Sequence, residues 1–215
     1  TRLTWDESDT QYDEQIRRDA ESTLTLCEPL IKQSPNDATG FFYCGQAHFA
    51  MSYLSALRGS YFHSGRHGSQ AINLLEQALQ LDPSLTDAKM HLGVAYYHAD
   101  NLPVYLKALS WFVWFIPQGN SDKSLPYLED VVTSGDYYPD VAKYLFADLL
   151  ISEGDVAREK ATNLLQQLSA TYPGNRRFRL RYVSLLLERG LHQQAIEAGN
   201  AFLTDNEIYQ FQPVD

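Results

Sequence analysis

Two segments of this chain echo one another at a distance of 48 residues: ATGFFYCGQAHF, opening at Ala38, and TDAKMHLGVAYY, opening at Thr86. Between them runs AINLLEQALQLDP, which sets Ala71, Leu75, Ala78 and Pro83 in the order A-x3-L-x2-A-x4-P. Small and bulky side chains recurring at such spacings describe pairs of helices, and one pair cannot bury its apolar face alone. Pairs of this kind must stack. The chain is therefore expected to be an all-α solenoid that offers a surface for holding partners, and nothing in the pattern specifies a reaction.

The remaining segments read in the same terms. A helix is predicted from about Thr10 to Gln33, kinked at Pro29, where a backbone donor is missing. SPND at 34–37 stops it, and Asp37 is placed to cap the next helix, whose Phe41, Cys44, Gly45 and His48 share a buried side. Leu92, Gly93, Ala95 and Tyr96 open a second pair; Asp100 and Asn101 end that helix, and Pro103 starts its partner, which runs to Pro117 and Gly119. An unpaired helix follows at about 121–133. A third pair carries Leu145, Ala147, Leu149 and Leu150, an EGD turn, then Ala161, Leu165, Leu168 and Pro173. The last carries Tyr182, Val183 and Leu186, a turn at Gly190, then Ala195, Gly199 and Phe202. Small residues at 71, 161 and 195 allow helices to approach closely. No alternating strand pattern and no linker-like stretch is present. One domain, 1–215, of about ten helices is expected, with 1–9 and 204–215 as loosely ordered or capping tails.

These residues resemble the tetratricopeptide repeat (TPR), a helix pair of about 34 residues. Leu92, Gly93 and Tyr96 fit the first helix of one repeat, and Ala71, Leu75, Ala78 and Pro83 the second helix of the preceding one. Ala161, Leu165 and Pro173 fit another, with Leu168 where Ala is usual, and Gly190 and Ala195 fit the last. The likeness covers about residues 23–203 and implies a right-handed superhelix of antiparallel helix pairs. Three departures stand out. Gly45 to Ala71 spans 26 residues where the repeat has about 12, and the extra length predicts about two more turns in each helix of the first pair. A loop built on Gly59, Gly65 and Gly68 is the rival. The helix at 121–133 has no mate, and Ala147 and Val183 stand where Gly is usual. The stretch YYHADNLPVYLKALSWFVWFIPQGN also resembles a branch of exported bacterial TPR proteins of undefined role. That implies a periplasmic or exported location, the cytoplasm being the alternative.

Composition removes several function classes. A formal net charge of −10, spread along the chain, argues against nucleic acid as a partner, since phosphate binding needs clustered Lys and Arg. No apolar run approaches the roughly 18 residues of a membrane span, so membrane contact is expected only through a leader or anchor outside the chain. Cys27 and Cys44 occupy apolar helix positions and read as buried free thiols, a disulfide being the rival; they do not fix the redox compartment. There is no Gly-x-Ser-x-Gly elbow, and GRHGS lacks the Lys-Ser/Thr ending of a phosphate loop. His63 and His67, four apart, would share a helix face, but zinc needs three or four ligands and no further one is at hand. No catalytic residue, metal or cofactor is expected.

The repeat register places Phe42, Tyr43, Gln46 and Phe49 on the inner face of the first helices, then Asp87, Met90, His91, Val94, Tyr97 and His98, then Tyr144, Asp148, Arg177 and Arg181. Aromatics with scattered polar groups suit a peptide or an apolar ligand. Arg177 and Arg181, one turn apart, read either as an anchor for a carboxylate or as a solvated basic end. The Lys and Asn of the family's peptide C-terminus clamp are missing, so that chaperone-type role is not expected. For every aromatic here the rival is packing within the molecule. The expected function is a non-catalytic scaffold for a protein or peptide, and repeat ends leave room for a homo-oligomer. The alternative is a carrier of a small apolar ligand, in a pocket near the long first pair or beside Trp111 and Trp114.

Overall fold

The structure, a computed structural model, describes residues 10–100 and 121–209, with the side chains of 10–97 and 122–204. Nine α-helices and one 3-10 turn make up these residues, with no strand among them. A tenth helix, expected at 103–117 and holding Trp111 and Trp114, lies outside the described residues. The chain divides between Pro139 and Asp140 into two compact units.

The first unit holds α1 (Asp13–Gln33), α2 (Ala38–Leu57), α3 (Tyr61–Leu81), α4 (Ala88–Asp100) and α5 (Ser121–Ser134). α1 packs on α2, α2 on α3, α3 on α4 and α4 on α5. The joins from α1 to α2, α2 to α3 and α3 to α4 are short, as stacked hairpins require, while residues 101–120 lie between α4 and α5. Asp37 caps α2 as expected, its carboxylate accepting the Thr39 amide at 2.9 Å.

The insertion lengthens the first pair, giving α2 20 residues and α3 21, and the loop alternative does not occur. The turn between them closes on Gly59, whose φ of 69° suits a residue without a Cβ. Gly59 N–H donates to Ala56 O and Ser60 N–H to Ser55 O, so two carbonyls of the last turn of α2 are satisfied there. Gly45 lets α2 and α3 meet: a Cβ there would lie 2.6 Å from Leu75 Cγ. Around this approach Phe41, Phe42, Ile72, Leu75, Ala78, Ala88, Leu92 and Tyr96 form one core.

Cys27 and Cys44 correct the sequence reading. They are not free thiols but a disulfide between α1 and α2, with Cα atoms 5.6 Å apart. The error has a physical origin. The helical spacing puts Cys44 and Gly45 on a common buried side, whereas α2 is covered on several sides. Cys44 faces α1 through Cys27, and Gly45 faces α3 through Leu75. A second tie joins the far ends of the same helices, where Arg58 Nη2 donates to Asp13 Oδ1 at 2.8 Å.

The second unit holds α6 (Pro139–Leu150), a 3-10 turn (Ile151–Glu153), α7 (Asp155–Thr171), α8 (Arg176–Glu188) and α9 (His192–Tyr209). Asn175 caps α8 by accepting the amides of Arg177 and Phe178. Ala161 and Ala195, the small residues of the repeat pattern, are buried, together with Phe146, Leu165, Leu168, Leu185 and Leu186.

Candidate functional site: the inner face of α2 and α4

The site of the first unit begins with a carboxylate that the sequence assigned to the face itself. Asp87, just before α4, is 2 % exposed. Its two oxygens accept the backbone amides of Asp136 at 3.0 Å, Tyr137 at 3.2 Å and Tyr138 at 3.1 Å. A buried carboxylate is tolerated when several donors replace its water. Asp87 is thus the anchor of the loop that carries two tyrosines.

Tyr138 turns inward. Its hydroxyl accepts from Gln46 Nε2 at 3.3 Å, and its ring meets His91 edge-on at 5.9 Å. Phe49 also meets His91 edge-on, at 4.8 Å. His91 is therefore a buried histidine packed against two rings rather than a solvated lining group. Burial pushes its pKa down to about 4, against the pull of the Asp87 carbonyl and carboxylate. Its Nδ1 makes no hydrogen bond of good geometry. Phe42 and Met90 are buried as well, while Gln46, Phe49, Val94 and Tyr97 are half-buried. His98 lies outside the described side chains. Of the face read from sequence, Tyr43 remains plainly open, at 43 % exposure.

Tyr137 turns outward and is 69 % exposed, although Asp87 pins its backbone. With Tyr43 it borders an open pocket of about 460 Å³ between the start of α2 and the end of α3. Asn36, Asp37, Ala38, Thr39, Phe42, Leu81, Asp82 and Leu85 complete the lining. The sequence reading missed Tyr137, Asp82 and the pocket. The DYY triplet at 136–138, beside a proline and a glycine, was the signal available.

Two other histidines meet within the first unit. His48 Nδ1 and His67 Nδ1 are 2.9 Å apart, so one imidazole donates its proton to the other. Burial and the neighbouring His67 push His48 down to about 4; burial, then Arg66 and His63, lower His67. His63, offered with His67 as a metal pair, instead sits 2.9 Å from Ser60 Oγ. No group of three metal-ligating side chains occurs among the described residues.

In the second unit Tyr144, Arg177 and Arg181 all have internal partners. Arg177 Nε donates to the Tyr144 hydroxyl at 3.1 Å, and its guanidinium lies 5.1 Å from that ring's centre. Phe178 packs on Tyr144 at 5.3 Å. Arg181 holds Asp148 by Nε at 3.1 Å and Nη2 at 2.9 Å, with Glu188 at 3.4 Å. The carboxylates that Arg181 engages are the protein's own.

Helix hairpins packed one on the next in chain order define a helical-repeat protein. More particularly, the family model for the tetratricopeptide repeat matches residues 59–104 and 144–213, more than half of the chain, and the protein belongs to that family. Repeats of this family commonly mediate protein–protein interaction. No curated protein matches the chain. Among the described residues no helix is long and apolar enough to cross a membrane.

Proposed function

We propose that the protein is a non-catalytic scaffold that binds a protein or peptide through the first unit, at the pocket and inner face bordered by Tyr43 and Tyr137. The observation that carries this reading is an exposed aromatic pair on a rigid frame. Tyr43 stands on α2, which the disulfide ties to α1, and Tyr137 stands on a loop fixed by three amides to Asp87. Tyrosine offers large contact area at small entropic cost, and a fixed frame lowers the ordering penalty of association. Gln46, Phe49, Val94 and Tyr97, which the repeat register sets on the inner face, are half-buried and so keep part of their surface for contact. The net charge of −10 favours a protein partner over nucleic acid. The pocket is open and bears carboxylates, which suits a protein surface better than an apolar small molecule.

A periplasmic or exported location is part of the proposal. Its support is the Cys27–Cys44 disulfide, since such bonds persist in oxidising compartments, together with the likeness of the 96–120 stretch to exported bacterial relatives. The test is quantitative recovery of bound proteins from host extract with the intact chain and with a Tyr43→Ala, Tyr137→Ala double variant. Selective loss of one or more partners from the variant is expected. Equal recovery of every partner refutes the assignment of the face.

A further inference from the structure

The pocket beside Tyr43 and Tyr137 has a distinct electrostatic character. It lies at the C-terminal end of α3, where helix carbonyls present negative charge, and the last turn of α3 has no basic residue. Asp82 follows that end directly, its Oδ1 accepting the Ser84 amide at 2.9 Å. Asp37 stands across the pocket at the start of α2, its Oδ1 accepting the Thr39 amide. Neither carboxylate has a cationic partner among the described residues, and the lining contains no Lys, Arg or His. The open tyrosine rings offer π faces to a cation. Leu81 and Leu85 add an apolar strip where an aliphatic stem can lie.

We propose that this pocket receives an arginine or lysine side chain from a basic segment of a partner protein. The stem lies along Leu81 and Leu85, and the charge rests among Asp37, Asp82 and the two tyrosines. The inference rests on the scaffold reading above and names the chemistry of its partner. Complementarity extends beyond the pocket, because the chain's net charge of −10 draws a basic segment from a distance. It also reverses the usual logic of a peptide clamp, since here the fixed negative groups belong to the repeat and the cation to the ligand.

The test is an NMR titration of the full chain with capped tripeptides Gly-X-Gly, where X is Arg, Lys, citrulline, norleucine or Glu. Signals of Tyr43, Tyr137 and residues 81–85 are followed. The Arg and Lys peptides are expected to shift them and the others not. Asp37→Asn and Asp82→Asn keep an oxygen for the local amide, so the fold should persist; each is expected to weaken the Arg peptide about threefold, as is typical of losing one exposed charge pair. Added salt should weaken it further. Binding of norleucine or Glu peptides as tightly as Arg overturns the proposal while leaving the binding face in place. Silence of Tyr43 and Tyr137 towards every peptide also overturns it. In that case, equal partner recovery by the double tyrosine variant removes the scaffold reading too, whereas selective loss retains it.

Discussion

Replacing Asp87 with alanine should free the loop that presents the aromatic face. In the native chain one carboxylate, 2 % exposed, serves the amides of Asp136, Tyr137 and Tyr138 at 3.0–3.2 Å. A hydrogen bond to a charged group contributes about 1.5–3 kcal/mol. The three do not add in full, because they share one acceptor, the freed amides can turn to water, and removing a buried charge spares its desolvation. A net loss of roughly 3 kcal/mol is expected. At about 2–4 °C per kcal/mol for a chain of this size, the Tm should fall by about 6–12 °C. Hydrogen exchange gives the sharper reading: amides 136–138 should lose protection, and the Tyr138 ring should leave its place beside His91 and Gln46. Asp87→Asn, which keeps one acceptor oxygen, should fall in between. If Asp87→Ala leaves both the urea midpoint and the exchange of 136–138 unchanged, the carboxylate is not the anchor and the presentation of Tyr137 needs another cause.

Other perturbations probe the rest of the frame. Cys27→Ser with Cys44→Ser should cost about 3 kcal/mol, the loop-closure value for a separation of 17, read as a lower urea midpoint; the oxidised protein should show no free thiol when denatured. Gly45→Val should cost about 1–3 kcal/mol by forcing Leu75 aside, since even a Cβ would lie 2.6 Å from Leu75 Cγ, and thermal melts check it. His91 should make the protein acid-sensitive. Its folded pKa, about 4, lies below the unfolded value of about 6.5, so protons favour the unfolded chain. Its share of stability is intact above about pH 6.5 and is lost as pH falls towards 4, by at most about 3 kcal/mol. His91→Phe should lessen the drop in urea midpoint between about pH 7 and about pH 4.5.

What the sequence conveyed was the packing that depends on spacing alone. Ala71, Ala161 and Ala195 recur because helices must approach closely, and all three are buried. The extra residues between Gly45 and Ala71 became helix because they hold whole turns, keeping the buried faces in phase. What the spacing did not convey was which neighbour each side of a helix meets. α2 touches α1 through Cys44, α3 through Gly45 and His48, and the Tyr138 loop through Gln46. One periodic pattern cannot apportion three contacts, so the disulfide and the His48–His67 pair escaped it. Asp87 escaped for a related reason. Its partners lie 49–51 residues away, on a loop whose return to α4 depends on the intervening chain. Gln46, Phe49 and His91, which the repeat register set on one face, are linked in the structure through the Phe49–His91 contact and through Tyr138, a residue the register did not include.

The most direct test of the binding face is hydrogen-exchange mass spectrometry on the full chain, alone and with a partner recovered from host extract. Protection on binding should concentrate at residues 36–49, 81–97 and 136–138, the segments that frame Tyr43 and Tyr137. Protection confined to residues 140–209, with the first unit unchanged, would contradict the account.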